Sequence, residues 1–163
     1  MVLKWDASRS WNIAHFTWDG VQVSSTLSQI RAGLASRLRT ITGLTVYPYP
    51  VDNISEVPCL VVANLSGDFV STFSGAGFSG EIRLVLLTGS ATSEESWAAL
   101  DVFLQAQGTS SVNATIDGDT SLGGLNDVTA TIIRFENAGR REVGDPPALW
   151  VGADFILRIE QGG

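Results

Sequence analysis

A chain of 163 residues with 44% hydrophobic content is long enough for one compact domain with a real core and too short for two. Seventeen glycines and five prolines, set among runs of Val, Ile, Leu and Phe, argue against disorder and against a helical bundle, and for a sheet-rich fold with many turns. The net charge of −7 is uneven, with +3 over residues 1–43 and −10 over residues 44–163. Between Arg83 and Arg134 lie six carboxylates and no basic residue, which argues against a surface that grips phosphate.

The single cysteine, Cys59, sits in the apolar run Pro58-Cys59-Leu60-Val61-Val62 and reads as a small core hydrophobe in a reducing compartment. Neither the start, Met1 to Asp6, nor any later apolar run resembles a signal peptide or a membrane span, so the expectation is a protein made and kept in the cytosol.

The first 24 residues form a distinct unit, an aromatic hairpin or arm carrying Trp5, Trp11, Phe16 and Trp18. His15-Phe16-Thr17-Trp18, Asp19-Gly20 and Val21-Gln22-Val23 give a two-residue hairpin signal, because Asp-Gly accommodates the positive φ angles of a type I′ turn. Such a hairpin packs on its own domain or docks on a neighbouring subunit. Residues 25–163 form the main domain. Leu27, Ile30, Leu34, Leu38 and Ile41 make one apolar stripe and predict a helix over about Thr26 to Thr42, capped by Ser24, Ser25 or Thr26 and ended by Gly43. Arg37 and Arg39 fall in its last turns, where a cation offsets the helix dipole.

Short strands are expected at Leu44–Tyr47 and Cys59–Ala63, followed by a strand pair, Asp68–Phe73 and Gly80–Leu87, joined by a projecting loop, Ser74–Ser79. Thr92-Ser93-Glu94-Glu95 has the form of a capping box, opening a helix that presents Trp97, Leu100, Phe103 and Leu104 and closes at Gly108. Ser111–Ile116 suits a helical turn, and Asp117-Gly118-Asp119 with Gly123-Gly124 marks an exposed loop. Two strands finish the chain, Val128–Phe135 and an alternating segment from Leu149 to Ile159, with a turn at about Asn137–Pro147. The sum is an α+β single domain, a small mixed or antiparallel sheet with two main helices packed on it, plus the N-terminal arm.

Chemistry is hard to place on this pattern. Gly75-Ala76-Gly77-Phe78-Ser79-Gly80 matches a dinucleotide-binding fingerprint, yet a strand follows where a helix is needed. The turn Thr88–Ser93 precedes a helix but has no Lys and runs into Glu94 and Glu95, so helix capping accounts for it. Asp117-Gly118-Asp119 starts like a calcium loop, but Leu122 stands where the turn glycine belongs and Val128 where the closing Glu belongs. His15 is the one histidine, set among aromatics, without a positioned nucleophile or an orienting carboxylate. No catalytic, cofactor-binding or metal-binding residue is assigned, and the expectation is a protein that is not an enzyme.

The order of elements carries a resemblance. The capped helix precedes Gly43-Leu44-Thr45-Val46-Tyr47-Pro48, then Val57-Pro58-Cys59-Leu60-Val61-Val62 and a strand hairpin, then Trp97-Ala98-Ala99-Leu100-Asp101-Val102-Phe103-Leu104, Gly108 and Ser111-Val112. A final long strand runs from Trp150 to Ile159. Over about residues 25–163 this resembles the tail terminator, or tail completion, proteins of long-tailed bacteriophages.

The resemblance implies a small sheet flanked by helices and a homo-hexameric ring in the virion neck, at the top of the tail. That ring caps the major tail tube protein, stops elongation and joins the tail to a head-tail connector or stopper protein. DNA would pass through the lumen without specific binding, and an acidic body keeps it from sticking. Trp11, Phe16 and Trp18, with Phe73 and Phe78 at the other projecting loop, are the candidates for subunit contact. The same features suit another neck protein, a head-tail stopper or adaptor. The alternative from a different class is a small enzyme or ligand-binding domain with its pocket between sheet and helices.

Overall fold

A computed structural model of the chain describes residues 25–72 and 75–162. The expected arm, with Trp11, Phe16 and Trp18, lies outside the described residues, as does Phe73. Helix α1 spans Leu27–Leu38. Of the three candidate caps Thr26 is the one used. Its hydroxyl accepts from the Gln29 amide, and the Gln29 side chain accepts from the Thr26 amide, a full capping box. The helix stops a turn earlier than its apolar stripe. Residues 39–43 tighten into short-range turns that still bury Ile41, and Gly43 takes φ 81°.

Strand β1 is Thr45–Tyr47, β2 Cys59–Thr72, β3 Gly75–Ser90, β4 Val128–Val143 and β5 Ala148–Gln161. They form one sheet in the order β1-β2-β3-β5-β4, with β1 parallel to β2 and every other pair antiparallel. The fold is α+β, as expected. Helix α2 is Glu94–Leu104 and α3 is Val112–Asp117, so the suspected helical turn is a short third helix. The capping box expected at Thr92 does not form. Ser93 occupies the N-cap without a side-chain bond, and the Thr92 hydroxyl pairs with that of Ser90. Glu94 and Glu95 in the first turn still favour the positive helix end.

β2 and β4 run longer than the sequence suggests, for one physical reason. β2 bears a register shift between Val62 and Leu65, and β4 bears shifts between Ile132 and Arg134 and between Glu136 and Gly139. Each bulge interrupts the period-two alternation by which a strand is read. The supposed loop Ser74–Ser79 is mostly β3, paired without a shift up to Thr72↔Gly75, its small glycine and serine residues having the composition of a loop, and Arg140 to Glu142 lie in β4 beyond its bulges.

The core lies on one face of the sheet. Register rows such as Leu60–Leu86–Ala153 and Val62–Leu84–Phe155 meet Ile30, Leu34 and Leu38 of α1, Leu100 and Phe103 of α2 and Ile116 of α3 in one buried cluster. Three arginines fasten elements through backbone carbonyls. Arg31 donates to Pro48, Val62 and Ala63 at 3.0–3.2 Å, so it satisfies acceptors beside the β2 bulge. Arg37 donates to Thr115 of α3 at 2.8 Å, and Arg39 to Val46 of β1 at 3.0 Å. Gly33 lets α1 approach closely, since a Cβ there would lie 2.6 Å from the Leu122 carbonyl oxygen.

Candidate interaction surface

Among the described residues no group of His, Cys, Asp and Glu side chains is arranged to hold a metal ion, and no helix is long and apolar enough to cross a membrane. Cys59 is fully buried, and burial pushes its thiol up to about 11, which leaves almost no thiolate at neutral pH. The glycine run Gly75–Gly80 is strand β3, with no helix start for a phosphate to meet. Asp119 instead organises its own turn. Its carboxylate accepts from the Ser121 hydroxyl and from the amides of Ser121 and Gly123, and these bonds hold it below the usual carboxylate range.

The face of the sheet away from the helices carries the largest polar array. Asp154, in the central part of β5, is 2% exposed. It accepts from Arg83 of β3 at 3.1 Å, from Asn137 at 3.2 Å and from Arg141 of β4. The second β4 bulge puts Asn137 at φ 53° and so aims its amide at the carboxylate, a re-aiming that bulges commonly perform. Burial alone would raise the Asp154 carboxyl, but the bonds from Arg141 and Asn137 and the charges of Arg141 and Arg83 outweigh it and hold it low. Glu136 bridges Arg83 and Arg134, each at 3.3 Å, and Arg134 lies 3.9 Å from Glu81. Each charge in the array faces an opposite one, an arrangement that orders strands and leaves no lone poised acid or base.

A second polar clamp closes the end of the sheet. Asp127 accepts from the backbone and side chain of Ser25, and the Gln161 amide donates to Asp127 at 2.8 Å and to the Ser25 carbonyl. Burial pushes the Asp127 carboxyl up, and the bonds from Ser25 and Gln161 more than reverse it.

Exposed large apolar side chains are spread over the described surface, among them Phe135 of β4 and Leu149 of β5, and the β2–β3 hairpin holds the most exposed, with a change of identity from the expected contact residues. Phe78 is not a projecting side chain. It is 8% exposed and belongs to the core cluster, its ring lying over the opposed glycines Gly67 and Gly80, where a Cβ at Gly67 would come within 2.5–2.6 Å of it. Its cross-strand partner Phe69 is the exposed aromatic, at 90% exposure, edge-on to Phe78 with ring centroids 6.3 Å apart. Val70 is also exposed. The sheet has two open edges among the described residues: β4 along its length, and β2 beyond its three-residue pairing with β1. Compared with known protein families and with curated protein sequences, the chain matches neither a family model nor a curated protein.

Proposed function

We propose that the chain is a structural ring subunit of a long-tailed phage, a tail terminator that caps the tail tube, stops its growth and joins it to the head connector. The observation that carries this reading is a pair of unlike surfaces on opposite sides of the sheet. One side has the bulged, charged edge of β4; the other has the open edge of β2 with exposed Phe69 and Val70. A closed ring needs two different patches that meet head to tail, whereas a two-fold dimer needs one patch that meets itself. The order of elements over residues 25–162 supports the same reading. Ion pairing within the Asp154 array supports a role in shape rather than bond-making.

Tails assembled without this chain are the test. Overgrown or head-free tails in electron micrographs are expected. Tails of normal length that carry heads would overturn the proposal.

A further inference from the structure

Strand β4 is tied down at its start and lightly held at its end. Val128 and Ala130 are buried, their amides bond to the carbonyls of Leu125 and Thr120, and α3 packs on the strand. Beyond Ala130 no residue of β4 is buried, and none is buried in the turn 144–147. Two bulges break the ladder to β5, and the second leaves Asn137 and Ala138 between the pairs Glu136↔Asp154 and Gly139↔Gly152. Past that point β4 keeps its ladder only from Gly139↔Gly152 to Val143↔Ala148, while β5 itself stays paired with β3 as far as Trp150. Gly139 takes φ 148°, a conformation open to glycine, so bulge and glycine together form a joint of the kind that absorbs a hinge rotation.

Arg141 reaches back across this joint. Gly139 and Gly152 face each other between it and Asp154, so no side chain stands between the guanidinium and the carboxylate it bonds. Its side chain is 19% exposed, and its Nε is buried without a partner among the described residues, a cost that the bond to Asp154 offsets. Among the described residues this is the one side-chain hydrogen bond from residues 139–147 to the rest of the chain. The other groups around Asp154, namely Arg83, Glu136 and Asn137, stand on the near side of the joint. The turn meets Asn53 and Ile54 across a cavity of about 180 Å³, so close packing does not seal it down. We propose that residues 139–147 form a flap, hinged at the second bulge and latched by Arg141, that lifts from the sheet as a unit while the rest of the domain stays folded. Segments with few buried apolar contacts open below the free energy of global unfolding, and here one ion pair sets how far below. The flap lets the end of β4 change its neighbour without opening the core, and it is independent of ring assembly.

Native-state hydrogen exchange of the full chain in low urea, read amide by amide, tests it. In the wild type the amides of residues 140–143 that bond to β5 are expected to exchange with little dependence on urea, because a small opening exposes little surface. Those of Leu84 and Leu86, fully buried in β3, should follow the steep dependence of global unfolding. Arg141→Met should speed the flap amides at least about tenfold, the scale of one charge-assisted bond, with their urea dependence still shallow. Arg83→Met strips the same carboxylate from the β3 side. It is expected to speed the core amides and leave the flap no faster than in the wild type, because Arg83 and Asp154 stay paired when the flap is open. Flap amides that share the urea dependence of the core in the wild type would overturn the proposal, as would a flap that Arg141→Met leaves unchanged or that Arg83→Met speeds equally. The wild-type series decides even where a variant does not fold, which circular dichroism checks.

Discussion

Asp154 shows how a single carboxylate can order three strands. It is buried on a face that is otherwise charged, and its partners come from β3 and from β4, Asn137 within a bulge and Arg141 just beyond it. Asp154→Asn keeps the shape but leaves two guanidinium groups short of an anionic acceptor, so a loss of about 3 kcal/mol is expected in urea unfolding, the scale for breaking a buried ion pair. The pH dependence has a definite sign. Because the folded carboxyl is held low, its contribution is fully present above about pH 4, the ordinary aspartate range, and is lost as pH falls through the lower folded value. The acid-side slope of wild-type stability should therefore be shallower in Asp154→Asn, and an unchanged slope would contradict the assignment. Alternation with Phe155 and Leu157 placed Asp154 on the correct face of its strand. Its burial was not legible, because two of its three partners owe their positions to bulges that no local pattern announces. Cys59, by contrast, is the inert core thiol that its apolar neighbours suggested. It is expected to resist alkylation at pH 8 until the protein is unfolded.

At the level of elements, the joints between helix and strand rely on arginines that propensity rules treat as surface charge. Arg31 satisfies carbonyls of Val62 and Ala63 next to the β2 bulge and stacks 5.2 Å from the Tyr49 ring. Arg31→Ala is expected to cost about 2 kcal/mol in equilibrium unfolding, since charge-assisted bonds are the stronger ones and partly buried carbonyls lose their donor. Thr26→Ala removes one bond of the capping box and should cost about 1 kcal/mol in the same measurement. Helix positions were readable because 3.6-residue periodicity persists over Leu27 to Leu38. Their ends were less so: Ile41 continues the stripe in sequence while its backbone has already left the helix. Arg37 was read as compensating the dipole, and it does stand in the last turn, but its guanidinium also reaches α3. Strand lengths were misread where a bulge shifted the alternation, in β2 and β4, and where glycines in a regular strand have the composition of a loop, at Gly75 to Gly80.

For the whole molecule, the useful asymmetry is between the charged, bulged edge of β4 and the apolar end of the β2–β3 hairpin. Bulges and charges are devices that discourage edge-to-edge association, and the β4 edge carries both. The hairpin keeps an aromatic ring in solvent. Phe69→Ser is expected to leave unfolding stability within about 0.5 kcal/mol of wild type, as exposed positions do, while weakening assembly measured by light scattering in the presence of tail tubes. Unchanged assembly would remove Phe69 from the contact. That a hairpin projects was legible from its glycines; which phenylalanine it exposes was not, because Phe78 is buried by folding over Gly67 and Gly80 from two different strands. The clamp at Asp127 has a further consequence for connectivity. It brings residue 25 into hydrogen-bond contact with residue 161, so the order of the strands along the chain can be rewritten without stretching anything. A circular permutant that links residue 162 to residue 25 through a few glycines, and opens between Asp145 and Ala148 at the exposed β4–β5 tip, should fold to the same sheet.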